Sequence, residues 1–249
     1  MTRSLPRVAV VTGGAHGIGA AIAAQLDALG HHVIIADLDT AAASQAAAGL
    51  RNASAHSLDA GDPDSIRRLF DSVRTRHGRC DILVNNAGIA HPGRFEDYPL
   101  ERWQQVMAVN LNGPMLACQH AIGLMKPQAW GRIVNITSIS GERASADRAA
   151  YGSSKAGLAA LTRQIAVEFA GVGITANCVA PGPIDTPLTR AHHPAATRAE
   201  YLQRVPAGRY GAPDEVAQAV AYLCGEHTGY ITGQTLAVDG GFLAAGLRG

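Results

Sequence analysis

Short apolar runs rich in valine and isoleucine recur along the chain, and between them lie segments long enough for a helix. The runs fall at residues 8–11, 33–36, 55–58, 82–85, 133–137, 174–179 and 235–238. Runs without polar alternation belong to strands covered on both faces, and strands separated by helices pair in parallel. The expectation is therefore an α/β fold: a doubly wound, parallel, seven-stranded sheet of Rossmann type with helices on both faces. In such a sheet ligands bind beyond the carboxyl ends of the strands.

With 249 residues, of which 47% are hydrophobic and 16% charged, the chain can fill one large core. No repeat, low-complexity tract or linker divides it, so residues 1–249 are expected to form a single dinucleotide-binding and catalytic domain. The rhythm breaks between about 181 and 213, where Pro183, Pro187, Pro194 and Pro206 fall. A connection that long is expected to be a substrate lid at about 183–212. Lys and Arg number 21 against 20 Asp and Glu, so no global field gathers nucleic acid or an anionic membrane, and a small-molecule partner is expected. Cys80, Cys118, Cys178 and Cys224 are widely spaced and read as buried apolar residues. No apolar stretch of signal or membrane length is present. Together these point to a cytoplasmic protein.

The first run leads into Thr12-Gly13-Gly14-Ala15-His16-Gly17-Ile18-Gly19 and then an alanine-rich helix. Glycines there let the backbone approach a pyrophosphate, which the free N–H groups and dipole of the helix N-terminus stabilise. The spacing is GxxxGxG rather than GxGxxG, so its position between the first strand and first helix carries the reading. Asp37 ends the second run, where an acidic residue accepts from the adenosine ribose hydroxyls and repels a 2′-phosphate. Leu38 beside it supplies no compensating cation, although His16 softens the argument. NAD is the expected cofactor, with NADP the weaker alternative. Asp59 after the third run and Asn86-Ala87-Gly88 after the fourth fall on the same edge, though Asx residues also make ordinary turns.

At the fifth run's end stands Ser138, and a helix opens near Tyr151, with Lys155 four residues on and so on the same helix face. An adjacent ammonium and the positive end of a helix both favour a phenolate, which makes Tyr151 a usable acid/base.

Taken in order, Thr12-Gly13…Gly17-Ile18-Gly19, Asp59, Asn85-Asn86-Ala87-Gly88, Asn110, Ser138, Tyr151, Lys155 and Pro181-Gly182 resemble the pattern of the short-chain dehydrogenase/reductase family over essentially the whole chain. The resemblance implies an oxidoreductase that moves a hydride between NAD(H) and a secondary alcohol or ketone. It implies that Tyr151 is the general acid/base, that Ser138 orients the substrate oxygen and that Lys155 binds the nicotinamide ribose while lowering the tyrosine pKa. Asn110 then supports a proton relay through water, and Ile184 and Thr186, after Pro181 and Gly182, contact the carboxamide. It also makes a homotetramer the leading assembly. The helix after Tyr151 carries Leu158, Leu161, Ile165 and Phe169 on one stripe and Ala156, Ala160 and Val167 on a second, which needs a partner.

Three alternatives stand beside this reading. The first is a 3-oxoacyl-(acyl-carrier-protein) reductase using NADPH. Such reductases tend to carry Arg or Lys before Gly131-Arg132 and Gly173-Ile174, where this chain has Gln128-Ala129-Trp130 and Gly171-Val172. Lys126 and Arg132 remain as cations nearby. The second is a non-catalytic dinucleotide-sensing module on the same fold. The third is a metal site of His192 and His193 with Asp185 or Glu200, but adjacent histidines point apart, so no metal is expected. Glu142, Arg143, Asp147 and Arg148, between Ser138 and Tyr151, are expected to form an exposed charged loop.

Overall fold

The structure is a computed structural model that describes residues 6–246. Among them lie strands β1 (Val8–Thr12), β2 (His32–Asp37), β3 (Ala53–Ser57), β4 (Ile82–Asn85), β5 (Gly131–Ile136), β6 (Ile174–Pro181) and β7 (Thr235–Val238). They form one sheet in the order β3-β2-β1-β4-β5-β6-β7, with every neighbouring pair parallel. The helices are α1 (Gly17–Ala28), α2 (Thr40–Ala48), α3 (Pro63–His77), α4 (Leu100–Met107), α5 (Gly113–Met125), α6 (Ala149–Phe169), α7 (Pro187–His192), α8 (Ala195–Arg204) and α9 (Pro213–Leu223).

Residue alternation along β1 explains the two core layers. Val8 and Val10 join Ile34, Leu69, Phe70, Ile122 and Ile165 on one face of the sheet. Ala9 and Val11 join Ile22, Leu26, Ile35, Val216 and Val220 on the other. Each large side chain removed from water in this way contributes about 1.5–3 kcal/mol. Both faces of a central strand must then be apolar, and no polar alternation survives.

The edge strands depart from that pattern. β3 spans Ala53–Ser57 rather than 55–58, because its register is set by pairing with β2 alone, Val33 against Ala53 and Asp37 against Ser57. Its half-exposed residues need no long apolar run, and Leu58 lies past the strand in the core. β7 falls at 235–238 as expected but is largely exposed, leaving Leu236 40% accessible.

Local chemistry sets several helix ends. The Asp62 carboxylate accepts from the Asp64 and Ser65 N–H groups, Pro63 opens α3, and Gly78 closes it in the left-handed region. Arg74, Arg76 and His77 occupy its last turn, where positive charge complements the dipole. The Asp39 carboxylate caps α2 through the Ala42 N–H.

Candidate active site

Gly13, Asp37, Asp59, Asn86, Ser138 and Gly182 each end or closely follow one of the strands β1 to β6, and the order of strands reverses between β1 and β4. Gly13 has φ +61°, and a Cβ on it would stand 2.8 Å from the Ala87 Cα. A Cβ on Gly19 would stand 2.0 Å from the Gly13 carbonyl oxygen. The turn therefore tolerates no side chain at either position. His16 precedes α1 without capping it by its side chain, so the first-turn N–H groups of α1 point into the turn unclaimed by a cap. A Cβ on Gly17 would touch Thr186 at 3.4 Å, which puts the start of the 183–212 segment directly over the turn.

Asn86 holds this turn from the neighbouring strand. Its Nδ2 donates to the carbonyls of Thr12 (3.1 Å) and Gly13 (2.8 Å), while the Thr12 hydroxyl accepts from the Asn86 and Ala87 N–H groups. The Asn86 side chain thus braces the turn, and Gly88 is the exposed member of the motif. The Asp37 carboxylate accepts from Ala15 N (3.0 Å) and Asp39 N (3.1 Å) and remains partly accessible. Leu38 and Asp39 beside it are exposed, and His16 Nε2 lies 4.0 Å from the Asp39 carboxylate. Asp59 is exposed and its Oδ1 accepts from Gly61 N. These features fit a dinucleotide: a side-chain-free turn, open helix N–H groups and a carboxylate at the ribose end.

Asn110 lies in a π-helical turn, Ala108–Asn112, that joins α4 to α5. A wider turn of this kind inside a helical run is frequent at functional sites. The side chain is fully buried; its Oδ1 accepts from Ile89 N, and its Nδ2 donates to Ile89 O (2.9 Å) and to the Ser154 hydroxyl (3.0 Å). Ser154 in turn donates to the Tyr151 carbonyl at 2.7 Å. Asn110 thereby ties the β4 loop to the stretch of α6 that carries Tyr151. Sequence reasoning missed Ser154, although its place three residues after Tyr151 on one helix face is a usable signal.

Ser138 caps a short 3-10 turn, accepting from Ser140 N at 3.1 Å, and is hydrogen-bonded to Tyr151. Burial pushes the Tyr151 phenol above its usual value; the Ser138 hydrogen bond and the Arg148 charge pull it down without cancelling that. The expectation that Lys155 lowers this pKa is not met in the site as it stands. Lys155 lies under the ring, its Nζ 5.7 Å from the ring centroid, and donates to the Ile136 carbonyl at 2.8 Å instead. Its own ammonium is buried, and desolvation draws its pKa down to about 8. A Cβ on Gly88 would meet Asn110 Oδ1 and Lys155 Nζ, both at 3.4 Å, so these groups share one wall.

Pro181 ends β6, and the Gly182 N–H donates to Val238 O, packing so closely on Asp239 that a Cβ would stand 2.7 Å from its Cα. Ile184 is buried and bridges to Gly211. Thr186 caps α7 by exchanging hydrogen bonds with Thr189. Of the metal alternative, Asp185 is held by Arg190 and Arg198, Glu200 by Arg204, and His193 Nδ1 lies 3.1 Å from the Tyr210 hydroxyl. Among the described residues no three His, Cys, Asp or Glu side chains gather as metal ligands; the His192 side chain lies outside the described ones.

A sheet of this order takes a dinucleotide at the reversal point, and the hydroxyl, phenol and ammonium beside it define a hydride-transferring oxidoreductase. The chain belongs to the short-chain dehydrogenase/reductase family, whose members bind NAD(P). The family model described as Enoyl-(Acyl carrier protein) reductase matches residues 13–243. The chain is 42% identical to a cis-4-hydroxycyclohexanecarboxylate dehydrogenase of Sinomonas cyclohexanicum, over 96% of this chain and 97% of that one. It is 38% identical to the 3-oxoacyl-(acyl-carrier-protein) reductase of Aquifex aeolicus, over 94% and 96%. Among solved structures it resembles a Beutenbergia cavernae protein described as an NAD(P)-dependent gluconate 5-dehydrogenase, with NADP bound at low occupancy. That match has a TM-score of 0.91 and 36% identity over 98% of this chain and all of that one. The protein is thus an oxidoreductase acting on CH–OH groups of a small-molecule substrate.

Proposed function

We propose that the protein is an NAD(H)-preferring dehydrogenase of a free, small to medium secondary alcohol or its ketone. The observation that carries this reading is the half-buried Tyr151, hydrogen-bonded to Ser138 and underlain by Lys155. When bound, NAD(P) supplies or accepts the hydride. Tyr151 exchanges a proton with the substrate oxygen, and Ser138 donates a hydrogen bond to that oxygen as charge develops. Lys155, held by Ile136, supports the nicotinamide ribose. Asn110 keeps the β4 loop and α6 in register for proton movement. Gly13, His16, Gly17, Ile18 and Gly19 take the pyrophosphate side; Asp37, Leu38 and Asp59 the adenosine side; Ala87, Gly88, Pro181, Gly182, Ile184 and Thr186 line the nicotinamide side, with Asn86 bracing the turn. Residues 1–249 act as one domain, with 183–212 as its lid.

Reduction of NAD+ and NADP+ by a panel of secondary alcohols, polyols and hydroxyacyl thioesters, with the reverse assay on ketones, tests this reading. The preference for NAD(H) rests on Asp37 and Asp39, two carboxylates where a 2′-phosphate would lie, with the His16 ring 4.0 Å from the Asp39 carboxylate. Asp37→Ser is expected to raise the NADP+ over NAD+ ratio of kcat/KM by about tenfold by removing like-charge repulsion. A wild type more efficient with NADPH than with NADH overturns the assignment.

A free substrate, rather than one tethered to an acidic carrier protein, is supported by the fate of the remaining cations. Arg132 is buried, stacked 4.3 Å from the Trp130 ring and bonded to the carbonyls of Gly131 and Gly225, so it offers no steering charge. Lys126, near Phe169, is left. The four buried free thiols fit a cytoplasmic, reducing setting. A homotetramer is supported by the uncovered stripe of α6, where Ala156 and Ala160 are exposed and Val167 is 83% accessible. Light scattering at micromolar concentration is expected to give four times the 25.8 kDa chain mass.

A further inference from the structure

The charged segment between Ser138 and Tyr151 does not behave uniformly. Glu142, Arg143 and Asp147 are exposed, as expected, but Arg148 is half-buried, with its Cζ 5.7 Å from the Tyr151 ring centroid and its charge acting on the phenol. Three features make this placement costly for the fold alone. Arg148 is the N-cap of the 21-residue α6, where positive charge opposes the helix dipole. The first turn of α6 holds no acidic residue, and among the described residues no carboxylate pairs with Arg148. The preceding Asp147 adopts φ +59°, a left-handed conformation that a non-glycine residue adopts at a cost. That strained residue is tied to the β4–α4 loop, its carbonyl accepting from Gly93 N at 3.1 Å. A cation with no carboxylate partner among the described residues thus stands beside the acid/base, next to a strained residue.

An apolar cluster also adjoins the phenol. Tyr201 lies close enough to act on the Tyr151 phenol and packs with Ile139, Val205, Phe242 and Leu243. A substrate whose oxygen meets Tyr151 and Ser138 therefore has hydrophobic surface and the half-buried Arg148 guanidinium beside it, while the exposed Arg143 lies over Phe242, its Cζ 5.7 Å from that ring centroid. A single planar fork matches one carboxylate through two parallel hydrogen bonds.

We propose that Arg148 binds the carboxylate of the substrate, so that the enzyme oxidises secondary hydroxy acids to oxo acids. The inference rests on the reading of Tyr151 as the acid/base for an alcohol. The carboxylate is unchanged in the reaction. The carbinol hydride goes to NAD(P)+ and the hydroxyl proton to Tyr151 and then solvent, which leaves the oxo acid, the reduced dinucleotide and one proton.

The test compares 3-hydroxybutanoate and 4-hydroxycyclohexanecarboxylate with their methyl esters on the full chain with NAD+. Wild type, Arg148→Gln and Arg148→Lys are assayed. The wild type is expected to favour each acid over its ester by about 100-fold in kcat/KM, expressed mainly in KM. Arg148→Gln brings the ratio to within about threefold, and Arg148→Lys, which keeps the charge without the fork, restores about tenfold of it. The wild-type ratio needs no variant, so a misfolded mutant does not shield the proposal. Esters oxidised as well as acids by the wild type, or an acid preference that survives Arg148→Gln, overturn it while the dehydrogenase reading stands. Turnover of no alcohol at all overturns both.

Discussion

Tyr151→Phe is expected to lower kcat by at least about 10³-fold while changing the NAD+ dissociation constant by less than about threefold. The substitution keeps the ring that covers Lys155 and removes only the hydroxyl that exchanges the proton and meets Ser138. A loss of that size corresponds to roughly 4 kcal/mol of barrier. Steady-state kinetics beside NAD+ titration by fluorescence decides it. A mutant keeping one tenth of the activity, a deficit of about 1.4 kcal/mol, removes Tyr151 from this role. Ser138→Ala acts in the same direction with a smaller loss, since it deletes a donor and not the acid/base. The pH dependence has a definite sign. Burial favours the neutral phenol, and alcohol oxidation needs the phenolate as acceptor, so oxidation rises as pH approaches the phenol's ordinary value of ~10. Ketone reduction needs the protonated phenol, so it holds up to that value and falls only above it.

Gly19→Ala is expected to weaken NAD+ binding by at least about tenfold and to destabilise the fold by about 1–3 kcal/mol. The added Cβ would stand 2.0 Å from the Gly13 carbonyl oxygen and 2.6 Å from Asn86 Nδ2, the two partners of the 2.8 Å hydrogen bond that holds the turn. One of the obstructing groups is backbone and cannot swing aside as a surface side chain would. Gly123→Ala in α5 is the contrasting case, with no atom within 4 Å of the new Cβ. There helix propensity predicts a gain of roughly 0.5–1 kcal/mol. Thermal unfolding and calorimetric titration of both variants read the difference. Wild-type stability and affinity in Gly19→Ala would show that the turn is not locked in this way.

The central strands β1, β2, β4, β5 and β6 were legible because burial on both faces leaves an unbroken apolar run. β3 begins two residues and ends one residue earlier than expected because an edge strand is half-exposed and takes its register from one neighbour. Ser138, Tyr151 and Lys155 were legible from strand end, loop and helix spacing. Asn110 came from family resemblance, and its reason for being there, two bonds to Ile89 and one to Ser154, joins residues 21 and 44 positions apart.

Local period, turn chemistry and the order of motifs are properties of neighbouring residues. They were enough to establish the parallel doubly wound sheet, the strand ends at which the site residues gather and the helix shared by Tyr151 and Lys155. Three things depended on chain segments brought together from a distance. Asn86 proved to brace the glycine turn, Arg148 to stand apart from its exposed neighbours against the Tyr151 ring, and the phenol to be raised rather than lowered. In the last case the ammonium four residues along bonds to the Ile136 carbonyl, and desolvation favours the neutral phenol. Desolvation is set by everything packed around a group, and spacing along the chain carries no measure of it.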